Sequence, residues 1–440
     1  MTQILSNFPF WSLEFDENGD AVNPAFLETF KQELIGQKIT DLFIFSHGWN
    51  NDHQLAMALY KGFFKEVNTL IDDTDIPFRR DAVIGTAGVI WPAIKWPDDE
   101  GSSSAGGAAG FHGDTQSATL DTSLQKLYKT SAELQLVSEL LELLDKKERS
   151  FESLDLFKHK LFELMSQVQP GGTAADSLFS KQINPHDINT NDLFDSLSVN
   201  EPAPPSQGGA AGLSGTFSRL WRGAKSALRI ATYWTMKERA GIVGQNGLGP
   251  LLTVLNKAIP GLKIYLIGHS FGARLVSYAL KGLPANTNKD NSPVKLLYLL
   301  QGAFSHFAFA DVLPFDNSRS GDLKGMAKRV DGPLVATFSE KDLAVGQAYR
   351  IASFVSGQDA SAVGDLTFRW QGMGYDGAQE VGAVSARLGK EGTSYPFQKG
   401  KWLNLDGNKV IVNGGLPSGA HSDIVYPHTA WVLISAAGIK

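Results

Sequence analysis

The residues of this chain best placed to do chemistry are Gly268-His269-Ser270-Phe271-Gly272, a G-x-S-x-G pentapeptide. Before it, Ile264 to Ile267 is apolar on both strand faces, as a central parallel strand reads. After it, Ala273 to Leu280 holds good helix formers and neither Pro nor Gly. A turn this tight between strand and helix forces the serine into a strained backbone conformation. The flanking glycines leave space where strand and helix pass too close for a Cβ. The hydroxyl is then held above the sheet, near the positive end of a helix. The chemistry this permits is nucleophilic attack. Serine is a weak nucleophile at neutral pH, so it needs a base, and the base needs a carboxylate to fix its tautomer.

In this setting the pentapeptide resembles the nucleophile elbow of the serine α/β-hydrolases, the esterase and lipase superfamily. Ser46-His47-Gly48-Trp49-Asn50-Asn51, at the end of an apolar strand, resembles the oxyanion loop of the same superfamily. The likeness covers residues 1–96 and 231–440. It implies an α/β-hydrolase fold, with a mostly parallel sheet, helices on both faces and a helical insertion. It also implies the chain order serine, acid, histidine.

Three histidines follow the elbow helix. His306 precedes the expected acid strand. His428 falls in the first turn of the closing helix. His421 lies in the loop between the last strand and the last helix, and it is the expected base. Asp342 stands just past the strand Leu334–Ser339 and is the expected acid. Glu340 and Asp406 compete with it, and Asp406 already has a reason to be there, in a turn. The amides of Phe271 and Trp49 are the expected oxyanion donors. His47-Gly48 would turn the strand end so that the Trp49 amide faces substrate. The rival reading is an ordinary strand-end turn. His269 and Trp91 are candidates for the substrate pocket, with plain core packing as the alternative; Trp96 is considered beside Trp91. Gly268 and Gly272 are the glycines of the elbow.

Elements that could position these residues follow from pattern. Phe10–Phe15 alternates and predicts an edge strand. Asp16–Asp20 is a turn; it faintly resembles a calcium loop, but Ala21 stands where that loop needs Gly. Asn23-Pro24 predicts a helix start. Strands are expected at Ile39–Phe45, Ala82–Ile90 and Val294–Leu300, and an amphipathic helix at Ala56–Ile71. Asp406-Gly407 predicts a hairpin between Lys401–Leu405 and Lys409–Val412. Pro427 opens the last helix.

Between the two blocks, residues 97–230 read as a helical cap. Gly101–Gly110 is Gly, Ser and Ala, and 184–212 is polar and rich in Pro, Gly and Asn, so both read as flexible. Arg219, Arg222, Lys225 and Arg229 give one helix a basic side. That side is either a membrane-surface contact or a solvated face of a packed helix. The expected domains are 1–96, 97–230 and 231–440.

The chain has 440 residues, 42% apolar and 20% charged, with net charge −6 and no cysteine. Such a length predicts one large domain with an insertion, or two domains. The charge argues against nucleic acid as a partner. Disulfides and thiolate metal sites are excluded. No apolar run reaches the ~18 residues a transmembrane helix needs. The start lacks the pattern of a signal peptide. The expected location is the cytoplasm, with export by a signal-independent route left open, as is the oligomeric state.

The expected activity is cleavage of carboxylic esters through an acyl-enzyme, on a small ester or a lipid. The resemblance implies neither metal nor organic cofactor. Near neighbours are a lipase or phospholipase at an interface and an amidase or peptidase. A non-catalytic binding protein on the same fold is the rival from another class.

Overall fold

The computed structural model describes residues 2–49, 51–93, 120–125, 127–167, 186, 188–198, 213–344, 371–415 and 418–440. Asn50, Trp96, the Gly101–Gly110 segment and residues 184, 185, 187 and 199–212 lie outside them.

Nine strands form one sheet: β1 (Gln3–Leu5), β2 (Phe8–Glu14), β3 (Asp41–Ser46), β4 (Ile84–Ile90), β5 (Lys263–His269), β6 (Val294–Leu300), β7 (Leu334–Phe338), β8 (Val384–Arg387) and β9 (Trp402–Asp406). Their order is β1-β2-β4-β3-β5-β6-β7-β9-β8. Every pairing is parallel except β1 with β2. Among the described residues the longer α-helices are α1 (Pro24–Gly36), α2 (His53–Asp72), α3 (Ser131–Lys146), α4 (Phe151–Gln167), α5 (Thr190–Ser198), α6 (Leu213–Ile242), α7 (Gly249–Ala258), α8 (Phe271–Ala279) and α9 (Pro427–Ala436). The chain is thus α/β, with a mostly parallel central sheet and helices on both faces.

Alternation along the buried strands divides the core in two. Leu42 and Ile44 of β3, Ile264 and Leu266 of β5, and Leu297 and Leu299 of β6 face α1, α6, α7 and α8. Phe43 and Phe45, Tyr265 and Ile267, and Tyr298 and Leu300 face α2 and α9. β3 and β5 are neighbours, with Ser46 opposite Gly268. The helices that follow them, α2 and α8, pack on opposite faces. The chain therefore parts in two directions at the carboxyl ends of β3 and β5. Open parallel sheets bind ligands in the crevice formed at such a switch point.

Local signals explain several starts. Asn23 accepts a hydrogen bond from Phe26 N at 3.2 Å, with Pro24 opening α1. Asp52 accepts from Leu55 N at 2.8 Å, so α2 begins three residues earlier than its apolar face announces. Asp16 accepts from the amides of Asn18 and Asp20, both at 2.9 Å, and caps its own turn.

The structure corrects three expectations. β2 is not an edge strand: Ser6 and Asn7, at φ 50° and 67°, turn the chain so that β1 pairs along its outer side. Asp406-Gly407 makes no hairpin. β7 and β9 pair on one side and β8 and β9 on the other, so 409–412 has no free strand edge beside it. Instead Gly407 N donates to Phe338 O at 2.8 Å, and Ile411 N donates to Gly407 O at 2.8 Å.

Within 184–212, residues 190–198 are not loop but α5. Leu193, Phe194 and Leu197 are buried there, and Asn189 Oδ1 accepts from the amides of Asn191 and Asp192. Composition averaged over the polar stretch hid that apolar i, i+1, i+4 face. The next helix, α6, is 30 residues long and continues without a break through residue 230. Leu220, Ala224 and Leu228 share one core with the sheet residues, as do Leu140, Phe157 and Phe194 of α3, α4 and α5.

Near its end, α6 is tied to its surroundings by hydrogen bonds. Tyr233 Oη donates to Ala303 O at 3.2 Å, and Arg274 Nε donates to Lys237 O at 2.8 Å. Arg239, buried, donates to Pro92 O at 3.0 Å and Leu127 O at 2.8 Å. Its basic side is only partly open to water. Arg219 pairs with Asp195 at 2.6 Å, while Arg222, Lys225 and Arg229 are half-buried. Among the described residues no helix is long and apolar enough to cross a membrane.

Candidate active site

Ser270 joins β5 to α8 at φ 58° and ψ −123°, a conformation that costs a non-glycine residue about 1–3 kcal/mol. Sterics hold it there. A Cβ on Gly268 would lie 2.4 Å from Gly272 O, and one on Gly272 would lie 2.0 Å from Ser46 O. The first glycine lets the helix approach its own strand, and the second lets it approach β3.

The Ser270 hydroxyl donates to His421 Nε2 at 2.7 Å. His421 Nδ1 faces Asp342 Oδ2 at 2.8 Å. A carboxylate only accepts, so the Nδ1 proton is the donor and Nε2 is left to receive a proton from serine. Ser270 is 5% exposed, His421 8% and Asp342 0%. The three meet although 79 and 151 residues separate the partners.

The acid and base loops are stitched together. Asp342 bridges Gly419 in antiparallel fashion, Ala420 N donates to Lys341 O at 2.8 Å, and Leu343 N donates to Ser418 O at 3.1 Å. Asp342 Oδ1 accepts from Ala344 N at 3.2 Å, and Oδ2 accepts also from Gln301 Nε2 at 3.0 Å.

The competitors lie elsewhere. Glu340 is exposed, and its amide donates to Asn408. Asp406 accepts from Asn408 N in the turn after β9. His306 pairs with Asp376 at 2.9 Å, and His428 sits in the first turn of α9.

The loop after β3 touches the serine. A Cβ on Gly48 would come 2.6 Å from Ser270 Cβ and 3.1 Å from Oγ. Gly48 was expected to supply a turn, but its φ is not in the left-handed region; glycine supplies room for the serine. Trp49 follows this contact directly in the chain. The Phe271 amide opens α8, where N–H groups have no partner within the helix. The two expected oxyanion donors belong to the residues that follow Ser270 and Gly48 in the chain.

His47 holds its loop from below. Its Nδ1–H donates to Gly48 O at 2.8 Å, its amide donates to Tyr60 Oη at 2.9 Å, and its carbonyl accepts from Trp91 Nε1 at 3.0 Å. Burial lowers its pKa to about 4, so the ring is neutral at neutral pH.

Both residues considered for the pocket are buried. Trp91, 3% exposed, stacks on His47 with ring centroids 5.6 Å apart. His269, 4% exposed, donates from Nε2 to the His421 carbonyl at 2.9 Å. Burial first, then the neighbouring His421, lowers the His269 pKa to about 3. Both residues support the loops that carry the reacting groups.

Sequence reasoning passed over two neighbours. Tyr233 of α6 sets its ring 4.6 Å from that of Phe271 and 5.8 Å from that of Trp49, forming an aromatic wall. Its signal, one aromatic in an amphipathic helix, is common to packed helices. Gln301 had a readable signal: it is the first polar residue after the apolar run Leu296–Leu300.

Compared with models of known families, with curated proteins and with solved structures, the chain finds no match in any of the three.

Proposed function

We propose that this chain is a serine hydrolase of the α/β-hydrolase type, cleaving carboxylic esters through an acyl-enzyme, with α3–α6 as its helical insertion. The observation that carries this reading is the continuous relay from Ser270 Oγ through His421 to Asp342, at 2.7 and 2.8 Å. Its place at the switch point of a parallel sheet supports it further.

In the first step Ser270 Oγ attacks the ester carbonyl and His421 Nε2 takes the hydroxyl proton. Asp342 holds the Nδ1 proton and stabilises the charged ring. The carbonyl oxygen becomes an oxyanion beside the Phe271 and Trp49 amides. Collapse of this intermediate expels the alcohol, which receives the proton from His421. Water then attacks the acyl-serine, gives a proton to Nε2, and the acid leaves with Ser270 restored. The aromatic wall of Trp49, Phe271 and Tyr233 favours an apolar group at the reacting carbon. The half-buried basic side of α6 adds no support for a membrane-facing helix.

The test is labelling with a fluorophosphonate, paired with hydrolysis of p-nitrophenyl acetate. The wild type should label at Ser270 and turn over. Ser270→Ala should do neither, losing about 10⁶ in kcat with its melting temperature kept. An inert wild-type serine would overturn the reading in favour of a non-catalytic protein.

A further inference from the structure

We infer that Gln301 is a positioning residue for the reaction: its side-chain amide aims the Asp342 carboxylate at His421. The inference rests on the hydrolase reading above.

Gln301 ends the strand between the one that leads to Ser270 and the one that leads to Asp342. It is fully buried, and its φ is 46°, in the left-handed region. A non-glycine residue there costs of order 1–3 kcal/mol and persists only where its surroundings require it. What the strain achieves is visible in the side chain. Nε2 donates to Asp342 Oδ2 at 3.0 Å and to Gly374 O at 2.9 Å. Oε1 accepts from Thr337 Oγ1 at 3.0 Å. The same hydroxyl accepts from Gln301 N at 3.2 Å. Two acceptors face one end of the amide and a hydroxyl faces the other, so its orientation is fixed.

Of these partners, one belongs to the relay and the rest hold the glutamine. Thr337 comes from β7. Gly374, in the helical turn Met373–Asp376, also accepts from Ser339 N at 2.9 Å. A Cβ on Gly374 would lie 2.7 Å from Asp342 Oδ2, so this turn closes directly over the carboxylate. Asp342 Oδ2 therefore receives two donors, His421 Nδ1–H and Gln301 Nε2–H, and Oδ1 receives the Ala344 amide. Without Gln301 the carboxylate loses one of the three donors that fix its plane. A base whose orienter can rotate spends less time aimed at Ser270.

Two variants of the full chain test this. Gln301→Leu removes the donor. Gln301→Glu keeps the shape and sets a second carboxyl against Asp342. Rates are counted per serine titrated by a fluorophosphonate, which removes any loss of folded protein from the result. Gln301→Leu should lower kcat about 10- to 100-fold, the usual cost of losing a partner that orients a reacting group. KM for p-nitrophenyl acetate should stay unchanged. Gln301→Glu should shift the acid limb of kcat/KM, since two buried carboxyls this close share a proton and so change the charge that Asp342 presents to the ring. The low-field proton resonance of His421 Nδ1–H should shift or broaden in both. If Gln301→Leu fails to fold, Gln301→Glu carries the test alone.

Folded variants with wild-type kcat, pH profile and resonance, and only a lower melting temperature, would make Gln301 a structural residue and end the inference. A wild type that neither labels nor hydrolyses would refute the hydrolase reading instead, and the resonance would still decide what Gln301 does to His421.

Discussion

Ser270 and its two partners are held in place by different physics. The serine is held by contact. Gly268, Gly272 and Gly48 let three stretches of backbone close on it so tightly that a single Cβ would strike backbone or the serine itself. His421 and Asp342 are held by hydrogen bonds between loops far apart in the chain, and by donors from His269 and Gln301. Contact is unforgiving of volume but indifferent to polarity. Hydrogen bonding is the reverse. The two halves should therefore fail in different ways.

Among changes to what holds the serine and its partners, the largest expected effect is on the bonded side. Asp342→Asn conserves volume and should lose about 10⁴ in kcat, as the wrong tautomer does in other serine enzymes. Its melting temperature should barely move. A variant that instead keeps its rate and unfolds early would erase the distinction.

Next comes Gly48→Val, which adds volume against Ser270 without touching a bond. Displacing one oxyanion donor costs about 3 kcal/mol, or 10² to 10³ in kcat. Gly48→Ala should share most of that loss, because the first carbon already meets Ser270. The fall should appear in kcat rather than KM. Wild-type rates in both variants would mean that the loop plays no part in the chemistry.

Gly272→Ala drives a Cβ into the Ser46 carbonyl, so it should cost stability as well as rate. Overpacking of this kind costs roughly 1–3 kcal/mol. Chemical denaturation reads it directly, and an unshifted midpoint would show that β3 and α8 can move apart.

The last test concerns acid. His47 and His269 have pKa values near 4 and 3 in the fold, against about 6.5 when unfolded. Above pH 6.5 both rings are neutral in either state, and stability is at its full value. As pH falls from 6.5 toward 4, the unfolded chain takes up protons that the fold refuses, so stability is lost. The melting temperature should decline over that window, and less steeply in His269→Gln. A flat profile would show that water reaches these rings.

The same contrast explains what could be read in advance. Contact is written locally: two glycines around a serine, between an apolar strand and a helix, announce the corner at 268–272. The chain order of serine, acid and histidine then singled out His421, which meets Ser270, and Asp342, which meets His421. The supports are marked more faintly: the polar Gln301 after an apolar run can be read locally, but its hydrogen bond to Asp342 spans 41 residues and cannot. Non-local pairing also defeated the hairpin at Asp406-Gly407. The turn signal is real, but both edges of β9 are taken by strands that lie elsewhere in sequence. α5 escaped because nine helical residues were averaged with their polar surroundings.

A 30-residue helix is about 45 Å long. α6 spends one part of that length among α3, α4 and α5, and ends anchored to Ala303, Pro92, Leu127 and Arg274. It is in effect a beam built into the wall that carries Ser270. No pivot exists between residues 233 and 239, so the insertion cannot swing there as a door does without bending the beam or tearing out its anchors. Packing changes far out on α5 would reach Tyr233 as a tilt, and so shift its ring against those of Phe271 and Trp49.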